Sequence, residues 1–585
     1  MIVAYLFYLT SSFLKILQKT FLYATIMRMN IKKCIVDSIN FDFGEVDVES
    51  LIIESISADK GDYSLPCFAF AKVLKDNPMN IANKIKDSVK LDGIVEKCEV
   101  VAGYLNFFLN KQFVAKQILE NFNINNFKSN EGDGKVVCID YCSPNLAKYL
   151  HIGHLKSLIE GESISRLFEQ FGYTVKRLNF TGDYGTPFGK IIGGMLRWGS
   201  IEDVKARGND ALQEYYVKFN AEEAEKPELT QVARDIFKKI EEKDSEIYPL
   251  YKFIIEIAQV EEKKMFEILG VEFDDHRGEM YYNDLVFEAV KLLENKKLLV
   301  DSEGAKIVRL KEYDLTDAVI IKSDGTTIYI TRDISAAIDR YNDYKFDKMI
   351  YVTDVAQVLH FKQLFKVLEL AGFDFASDLE HMPYGRFSLP EGKISSRRGK
   401  QAVLLDLMDY TLNKAKEVVK DRNFNIEKPE DVVKKVARAV LNFNVLKVER
   451  NKDCVFDAEK AFSFEGETAP YMLYTYTRLE SILRKYEDID VVADYSCLNS
   501  EAFDLIKSIN DFNSVLKLSL TKRDTSLIVK RVMEMCKAFN KFYTTTKVLD
   551  GVDSTTKAKI ELVKALKDTL SVGFNLICID TLKEM

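Results

Sequence analysis

The spacing of apolar residues divides the chain into stretches of different period. From residue 30 to about 122, short apolar runs alternate with the turn signals Asp59-Lys-Gly-Asp62 and Asp76-Asn-Pro78, and the run Val100–Phe108 falls near the end. That mixture predicts a small α+β domain over 29–122. The polar stretch Asn123–Lys135, with two glycines, reads as a linker. Beyond it Val136–Asp140 is a short buried strand, Ile152–Phe171 carries apolar residues at helical spacing until Gly172 stops it, and Thr174–Phe180 is a second strand. Strand, helix and strand in succession form a βαβ unit, the repeating piece of a parallel sheet.

The Glu- and Lys-rich stretch near 200–270 has helical periodicity and reads as an insertion of helices. Ala318–Lys322 and Thr326–Thr331 flank Ser323-Asp-Gly325, a hairpin turn signal. A strand, Lys348–Val352, and a helix, Leu359–Leu370, then resume the α/β order. From Pro429 onward strand signals vanish, and the amphipathic runs Val432–Val445, Tyr471–Lys485 and Leu527–Tyr543 predict a helical bundle. The expected architecture is a multidomain α/β chain: a small N-terminal α+β domain over 29–122, a parallel-sheet domain over 130–425 carrying the helical insertion, and an all-α C-terminal bundle over 430–585.

Composition supports a folded, multidomain reading. The chain of 585 residues exceeds what one core requires, and 47% hydrophobic with 29% charged residues is the balance of a globular protein. The nine cysteines are scattered singly, without a C-x-x-C pair, and read as reduced thiols. Cys138 and Cys142 have no histidine or second pair nearby, so no protein-held metal is expected. The formal charge of −8 excludes a protein that coats nucleic acid nonspecifically. Residues 431–585 are near charge balance, which leaves room for a structured RNA contacted through local basic patches. Residues 1–28 are apolar and aromatic, with only Lys15, Lys19 and Arg28 charged. They are either a targeting segment or the product of a start placed upstream of Met27 or Met29. No other segment approaches the roughly 20 apolar residues of a membrane span, and a cytoplasmic monomer with no membrane partner is expected.

Candidate chemistry gathers in Ser143-Pro-Asn-Leu-Ala-Lys148-Tyr-Leu-His151-Ile-Gly-His154, between the first strand of the βαβ unit and its helix. Open α/β sheets bind ligands there, beyond the carboxyl ends of their strands, with phosphates against a helix N-terminus. His151 and His154 share one helix face and can donate to phosphate oxygens, while Gly153 leaves room for an adenine or ribose near the backbone. A second element, Gly392-Lys393-Ile-Ser395-Ser396-Arg397-Arg398-Gly399-Lys400, is a glycine-bounded basic loop. Such a loop can chelate a triphosphate and follow its charge onto departing pyrophosphate. Each element alone also reads as solvated surface; together they point to a nucleotide site.

These two elements resemble the HIGH and KMSKS signatures of class I aminoacyl-tRNA synthetases. Ser143–Lys148, Gly182-Asp-Tyr-Gly-Thr-Pro-Phe-Gly189, Ser323-Asp-Gly-Thr-Thr-Ile-Tyr-Ile-Thr-Arg-Asp333 and Phe464-Glu-Gly-Glu-Thr-Ala-Pro-Tyr471 narrow the resemblance to the arginyl-tRNA synthetases, over roughly residues 90–585. The resemblance implies a Rossmann-type catalytic domain that joins L-arginine to tRNA(Arg) through an arginyl-adenylate. ATP with Mg2+ would be the substrate, and AMP and pyrophosphate would be released. It implies catalytic roles for His151, His154, Lys148 and Lys393, and ATP contacts from Gly153, Ser143, Ser395, Ser396 and Arg397. The second lysine of KMSKS aligns with Ser396 here, a departure that leaves Lys148, Lys393 and Arg397 open as carriers of the phosphate charge. Glu279 and Asp333, with Tyr329 alongside, would accept the guanidinium, which carboxylates bind as a fork. Asn145 and Gln357 would hold the α-amino and carboxylate end. Tyr474, Tyr543 and Met585 resemble anticodon-stacking positions, and Asn106, Phe108 and Gln112 would meet the tRNA elbow. Three rivals remain at this level: a small-molecule adenylyltransferase, an inactive tRNA-binding relative, and a synthetase for another amino acid, of which lysine is nearest.

Overall fold

Hydrogen-bonded strands and packed helices divide the chain into two units, one of residues up to Phe127 with Arg478–Ser514 and Glu534–Leu570, the other of Lys128–Thr477, Val515–Met533 and Ser571–Met585. A computed structural model describes residues 29–55, 60–91, 93–390, 403–421, 429–488 and 490–584. The expectations for residues 1–28, for part of the turn Asp59–Asp62, for the basic loop 392–400 and for Met585 fall outside the described residues.

In the first unit, β1 (Ile53–Glu54), β2 (Tyr63–Pro66), β3 (Val95–Val101) and β4 (Tyr104–Leu109) form an antiparallel sheet in the order β1-β2-β4-β3. The apolar run Val100–Phe108 is split between β3 and β4 by a two-residue turn, Ala102-Gly103, with both residues at positive φ. That geometry matches the right-handed twist of a hairpin. Helix Lys111–Glu120 follows, capped by Asn110 Oδ1, which accepts the Phe113 N–H at 3.0 Å.

In the second unit, β5 (Val136–Asp140) and β6 (Thr174–Leu178) flank helix Gly153–Gln170, the expected βαβ unit. An antiparallel sheet of β7 (Leu299–Ser302), β8 (Ala305–Val308) and β9 (Ala318–Ile321) lies further along. With β10 (Lys348–Asp354) and β11 (Leu379–Tyr384), the βαβ strands build a parallel sheet in the order β11-β10-β5-β6. Cys138, Leu178, Met349, Tyr351, Ile334 and Leu364 belong to the core between this sheet and its helices. The insertion comprises helices Ile201–Arg207, Asn209–Glu225, Leu229–Glu241 and Ile247–Leu269. Helix Thr186–Trp198 packs on the second and third of these so closely that a Cβ at Gly189 would lie 2.1 Å from the Ala233 carbonyl oxygen.

Two expectations are corrected. The expected strand Thr326–Thr331 contributes only the bridge Ile321↔Thr327, and Tyr329 starts a helix running to Tyr344. Ile330, Ile334 and Ala337, spaced for one helix face, are buried there, so core burial makes the chain after the turn a helix in place of the expected strand. Beyond Pro429, a two-residue strand does occur: β13 (Cys454–Val455) pairs in parallel with β12 (Phe387–Ser388). The rest of that region is helical, with Pro429–Leu446, Ala469–Arg484, Ser526–Thr545 and Asp553–Leu576 as its longest helices.

Candidate active site

The chain leaves β5 at Asp140 through an abrupt turn. Cys142 and Ser143 hold φ values of 74° and 47°, a region that costs a non-glycine residue about 1–3 kcal/mol unless its surroundings fix it. Here they do. The Cys142 N–H donates to Ser157 Oγ at 2.9 Å, the Ser143 N–H to Asn179 Oδ1 at 3.2 Å, and the Ser143 hydroxyl to Asp140 Oδ1 at 3.0 Å. Asp140 Oδ2 is 2.6 Å from Arg340 Nη1, and both side chains are buried. Burial pushes the Asp140 carboxyl up, while the Arg340 charge pulls it back. The loop that carries the chemistry is thereby set on a buried ion pair.

The same loop is tied to the one after β6. Leu146 N–H donates to the Gly182 carbonyl at 3.0 Å, and Gly182 N–H to the Pro144 carbonyl at 2.7 Å. Asn145 and Lys148 sit at the surface of this paired segment, with Asn145 Oδ1 accepting the Ala147 N–H at 3.0 Å.

At the helix start the imidazoles of His151 and His154 lie 3.9 Å apart, tilted by 35°. Gly153 N–H donates to His151 Nδ1 at 3.0 Å, so the neutral ring carries its proton on Nε2. His154 Nδ1 lies 3.1 Å from the His151 N–H and 3.2 Å from its carbonyl oxygen. Desolvation drives the pKa of His154 down to about 3, with the His151 charge adding to the effect, and desolvation also lowers that of His151. Both rings are therefore neutral donors near pH 7. A Cβ on residue 153 would sit 2.7 Å from His151 Cε1, so any side chain there displaces the neighbouring imidazole, whatever room a ligand also needs.

The basic-loop residues Lys393, Ser395, Ser396 and Arg397 lie outside the described residues, but the chain on its far side is placed. Val403 forms an antiparallel bridge with His151, and Leu404 N–H donates to the Leu150 carbonyl at 2.8 Å.

Beside this segment lies an acidic pocket. Asp183 Oδ1 accepts the Met280 N–H at 2.8 Å, and the Glu279 N–H donates to the Thr181 carbonyl at 3.0 Å, which brings two carboxylates from separate segments together. Arg332 is buried with its guanidinium 3.9 Å from the centre of the Tyr184 ring and 3.7 Å from Glu279 Oε2. Burial raises the Glu279 carboxyl to about 7, Arg332 working against it and the charges of Asp333 and Asp183 adding to it. Burial raises Asp183 to about 6, against the Met280 N–H. Asp333 Oδ2 is 2.6 Å from His360 Nε2. A cleft of about 580 Å³ adjoins this pocket, lined in part by Asp183, Tyr251, Met280 and Tyr281.

Glu279 and Asp333 are thus brought into one pocket, and Asn145 reaches the loop after β6 from the histidine segment. Tyr329 and Gln357 stand at the exposed starts of helix Tyr329–Tyr344 and helix Val358–Leu370. Sequence reasoning missed Asp183, Tyr184, Arg332 and His360. The first three stand inside segments already singled out, and His360 is three residues beyond Gln357. Among the described residues no group of three or more His, Cys, Asp and Glu could hold a metal ion, and no helix is long and apolar enough to cross a membrane.

Residues 115–458 match the family model for the catalytic domain of class I tRNA synthetases (R). The chain belongs to the class I arginyl-tRNA synthetase family. The other domains of that family match as well, the arginyl tRNA synthetase N terminal domain at 25–109 and the DALR anticodon binding domain at 472–585. The arginine--tRNA ligase of Clostridium botulinum (strain Alaska E43 / Type E3) is 40% identical over 543 residues, which cover 92% of this chain and 96% of that protein. The arginine--tRNA ligase of Halothermothrix orenii is 37% identical over 95% of this chain and 100% of its own length. The fold is that of Thermus thermophilus arginyl-tRNA synthetase, with a TM-score of 0.76 at 23% identity over 91% of this chain and 96% of that one. Plasmodium falciparum arginyl-tRNA synthetase gives 0.75 at 22% identity, over 95% of this chain and 99% of that one.

The described residues expected to meet tRNA are differently placed. Asn106 is buried in β4, its Oδ1 accepting the Ser64 hydroxyl at 2.6 Å. Phe108 is half-buried under Lys97 Nζ at 5.0 Å, and Gln112 is exposed on the helix that follows. Tyr474 and Tyr543 are 37% and 39% exposed, so both rings reach the surface and neither is bundle core.

Proposed function

We propose that the chain activates L-arginine with Mg-ATP and transfers it to tRNA(Arg). The reading rests on one observation above all: neutral imidazole donors stand on the segment after β5, and a pocket of three carboxylates gathers around the segment after β6 that is hydrogen-bonded to it. A phosphate and a guanidinium can be held there at once.

The arginine carboxylate attacks the α-phosphate, a P–O bond forms, and pyrophosphate leaves with the electron pair of the bond that breaks. The imidazoles of His151 and His154 present N–H donors to phosphoryl oxygens whose charge grows in the transition state. Lys148, Ser143 and the backbone at Gly153 bound the same space, and Lys393, Ser395, Ser396 and Arg397 supply the cations and hydroxyls of the basic loop. A terminal ribose hydroxyl of tRNA then takes the acyl group, and AMP leaves. Glu279 and Asp333 accept the guanidinium in a fork that the point charge of a lysine ammonium cannot match. Asn145, Gln357 and Tyr329 complete the amino-acid end. Tyr474, Tyr543 and Met585 read anticodon bases by stacking, and Phe108 and Gln112 form the N-terminal contact, with Asn106 buried beneath them.

Arginine-dependent ATP–pyrophosphate exchange, measured with and without tRNA that accepts arginine, tests the reading. Exchange that requires tRNA is expected; its absence under both conditions refutes the activity.

A further inference from the structure

We propose that His360 is a positioning residue for arginine recognition, fixing one oxygen of Asp333 so that the carboxylate keeps the other for the substrate guanidinium. The proposal rests on the assignment of Asp333 to the arginine pocket.

His360 lies on helix Val358–Leu370, three residues beyond Gln357 and therefore on the same helix face. Its Nε2 reaches across to helix Tyr329–Tyr344 and stands 2.6 Å from Asp333 Oδ2. Both side chains are largely withdrawn from solvent, 29% and 17% exposed. This is the one side-chain hydrogen bond of Asp333 among the described residues, so the imidazole alone sets which way the carboxylate faces. A short acid without that partner samples several rotamers, and forked binding of a planar guanidinium tolerates little such freedom.

The imidazole also tunes charge. Protonated, it neutralises Asp333 before the substrate arrives; neutral, it still donates a hydrogen bond but leaves the full negative charge for the guanidinium. Burial of the ring opposes protonation, but the hydrogen bond and charge of Asp333 outweigh it, and the basicity of His360 is raised. The facing groups on neighbouring elements do not compete for it. His381 on β11 is bonded to Thr353 Oγ1 and held neutral, lowered to about 4 mainly by desolvation. On its own helix Lys366 pairs with Glu369.

The test uses the full chain and steady-state aminoacylation, with KM for arginine and kcat measured from about pH 6 to about pH 8.5, where imidazoles titrate. His360→Leu should raise KM for arginine about tenfold near pH 8.5, where about 1.4 kcal/mol of lost orientation corresponds to tenfold in binding, and by a smaller factor near pH 6, where the neutralising charge is lost with the ring; kcat should stay within about threefold. His360→Gln keeps a donor without a titrating charge. It should match the wild type near pH 8.5 and give a KM several-fold below it near pH 6. An unchanged KM in His360→Leu, or a KM in His360→Gln raised by one factor at all pH values, overturns the proposal. Asp333→Asn separates the two levels. If it raises KM strongly while the His360 variants do nothing, the positioning role alone falls; if it leaves KM unchanged, the pocket assignment falls with it.

Discussion

Replacing Gly153 with alanine separates chemistry from folding at one atom. The new Cβ would lie 2.7 Å from His151 Cε1 and 2.8 Å from its Nδ1. Ordinary carbon contacts sit at about 3.5 Å, so the imidazole must retreat by roughly 0.8 Å. The 3.0 Å hydrogen bond from the Gly153 N–H to His151 Nδ1, which fixes the tautomer, is then stretched or lost. A misplacement of about 1 Å in a catalytic group costs about a hundredfold in rate, equivalent to about 2.7 kcal/mol of barrier. The backbone effect has the opposite sign, because residue 153 begins a helix and alanine is preferred to glycine within one by up to about 1 kcal/mol. The expected outcome is a kcat for aminoacylation down about a hundredfold, KM for arginine little changed and a melting temperature equal to or above that of the wild type. Retention of kcat within about threefold would refute the argument, since it would show that His151 either moves freely or does not touch the reacting phosphate.

Other consequences follow from the charges and packing. Between about pH 8 and pH 6 the ionised fraction of Glu279, whose carboxyl is raised to about 7, falls about tenfold, and KM for arginine should rise by about that factor. The raised Asp183 and His360 act in the same direction, because acidification leaves less negative charge for the guanidinium; a flat KM profile contradicts this assignment. Arg340→Met leaves the buried Asp140 carboxylate unpaired and should cost about 3–5 kcal/mol in urea unfolding, part of which Asp140→Asn in the same chain restores. A loss below about 1 kcal/mol would show that water reaches Asp140. Gly189→Ala forces helix Thr186–Trp198 away from the Ala233 carbonyl and should cost about 1–3 kcal/mol, read as a lower melting temperature.

Sequence pattern located the parallel sheet closely. Val136–Asp140 is a strand with the expected bounds, and helix Ile152–Phe171 differs from the observed Gly153–Gln170 by one residue at each end. Short apolar runs between turn signals leave little choice there. The Ser323-Asp-Gly325 signal misled because the turn forms but the chain after it has a buried face to satisfy, and Ile330 and Ile334 are spaced for a helix. The two-residue β13 was illegible for the opposite reason: Cys454–Val455 is too short to carry a period.

The site divides in the same way. His151, Gly153 and His154 are legible because their chemistry is contiguous in the chain and set at a helix start. Asp183 and Arg332 were read as parts of a motif without roles, since a carboxylate or guanidinium acquires a role only from what the fold sets beside it. His360 had no signal of its own; its meaning comes from Asp333, 27 residues away in the chain and 2.6 Å away in space. Asn106, by contrast, occupies an expected position in the chain, yet its side chain is buried against Ser64.

The most direct measurement is a crystal structure of the chain with a non-hydrolysable arginyl-adenylate analogue. The account predicts the guanidinium in hydrogen-bond contact with Asp333 and Glu279, and the phosphate-mimicking oxygens facing His151 and His154. An analogue seated with its guanidinium away from both carboxylates, or with its phosphate mimic remote from the imidazoles, would contradict it.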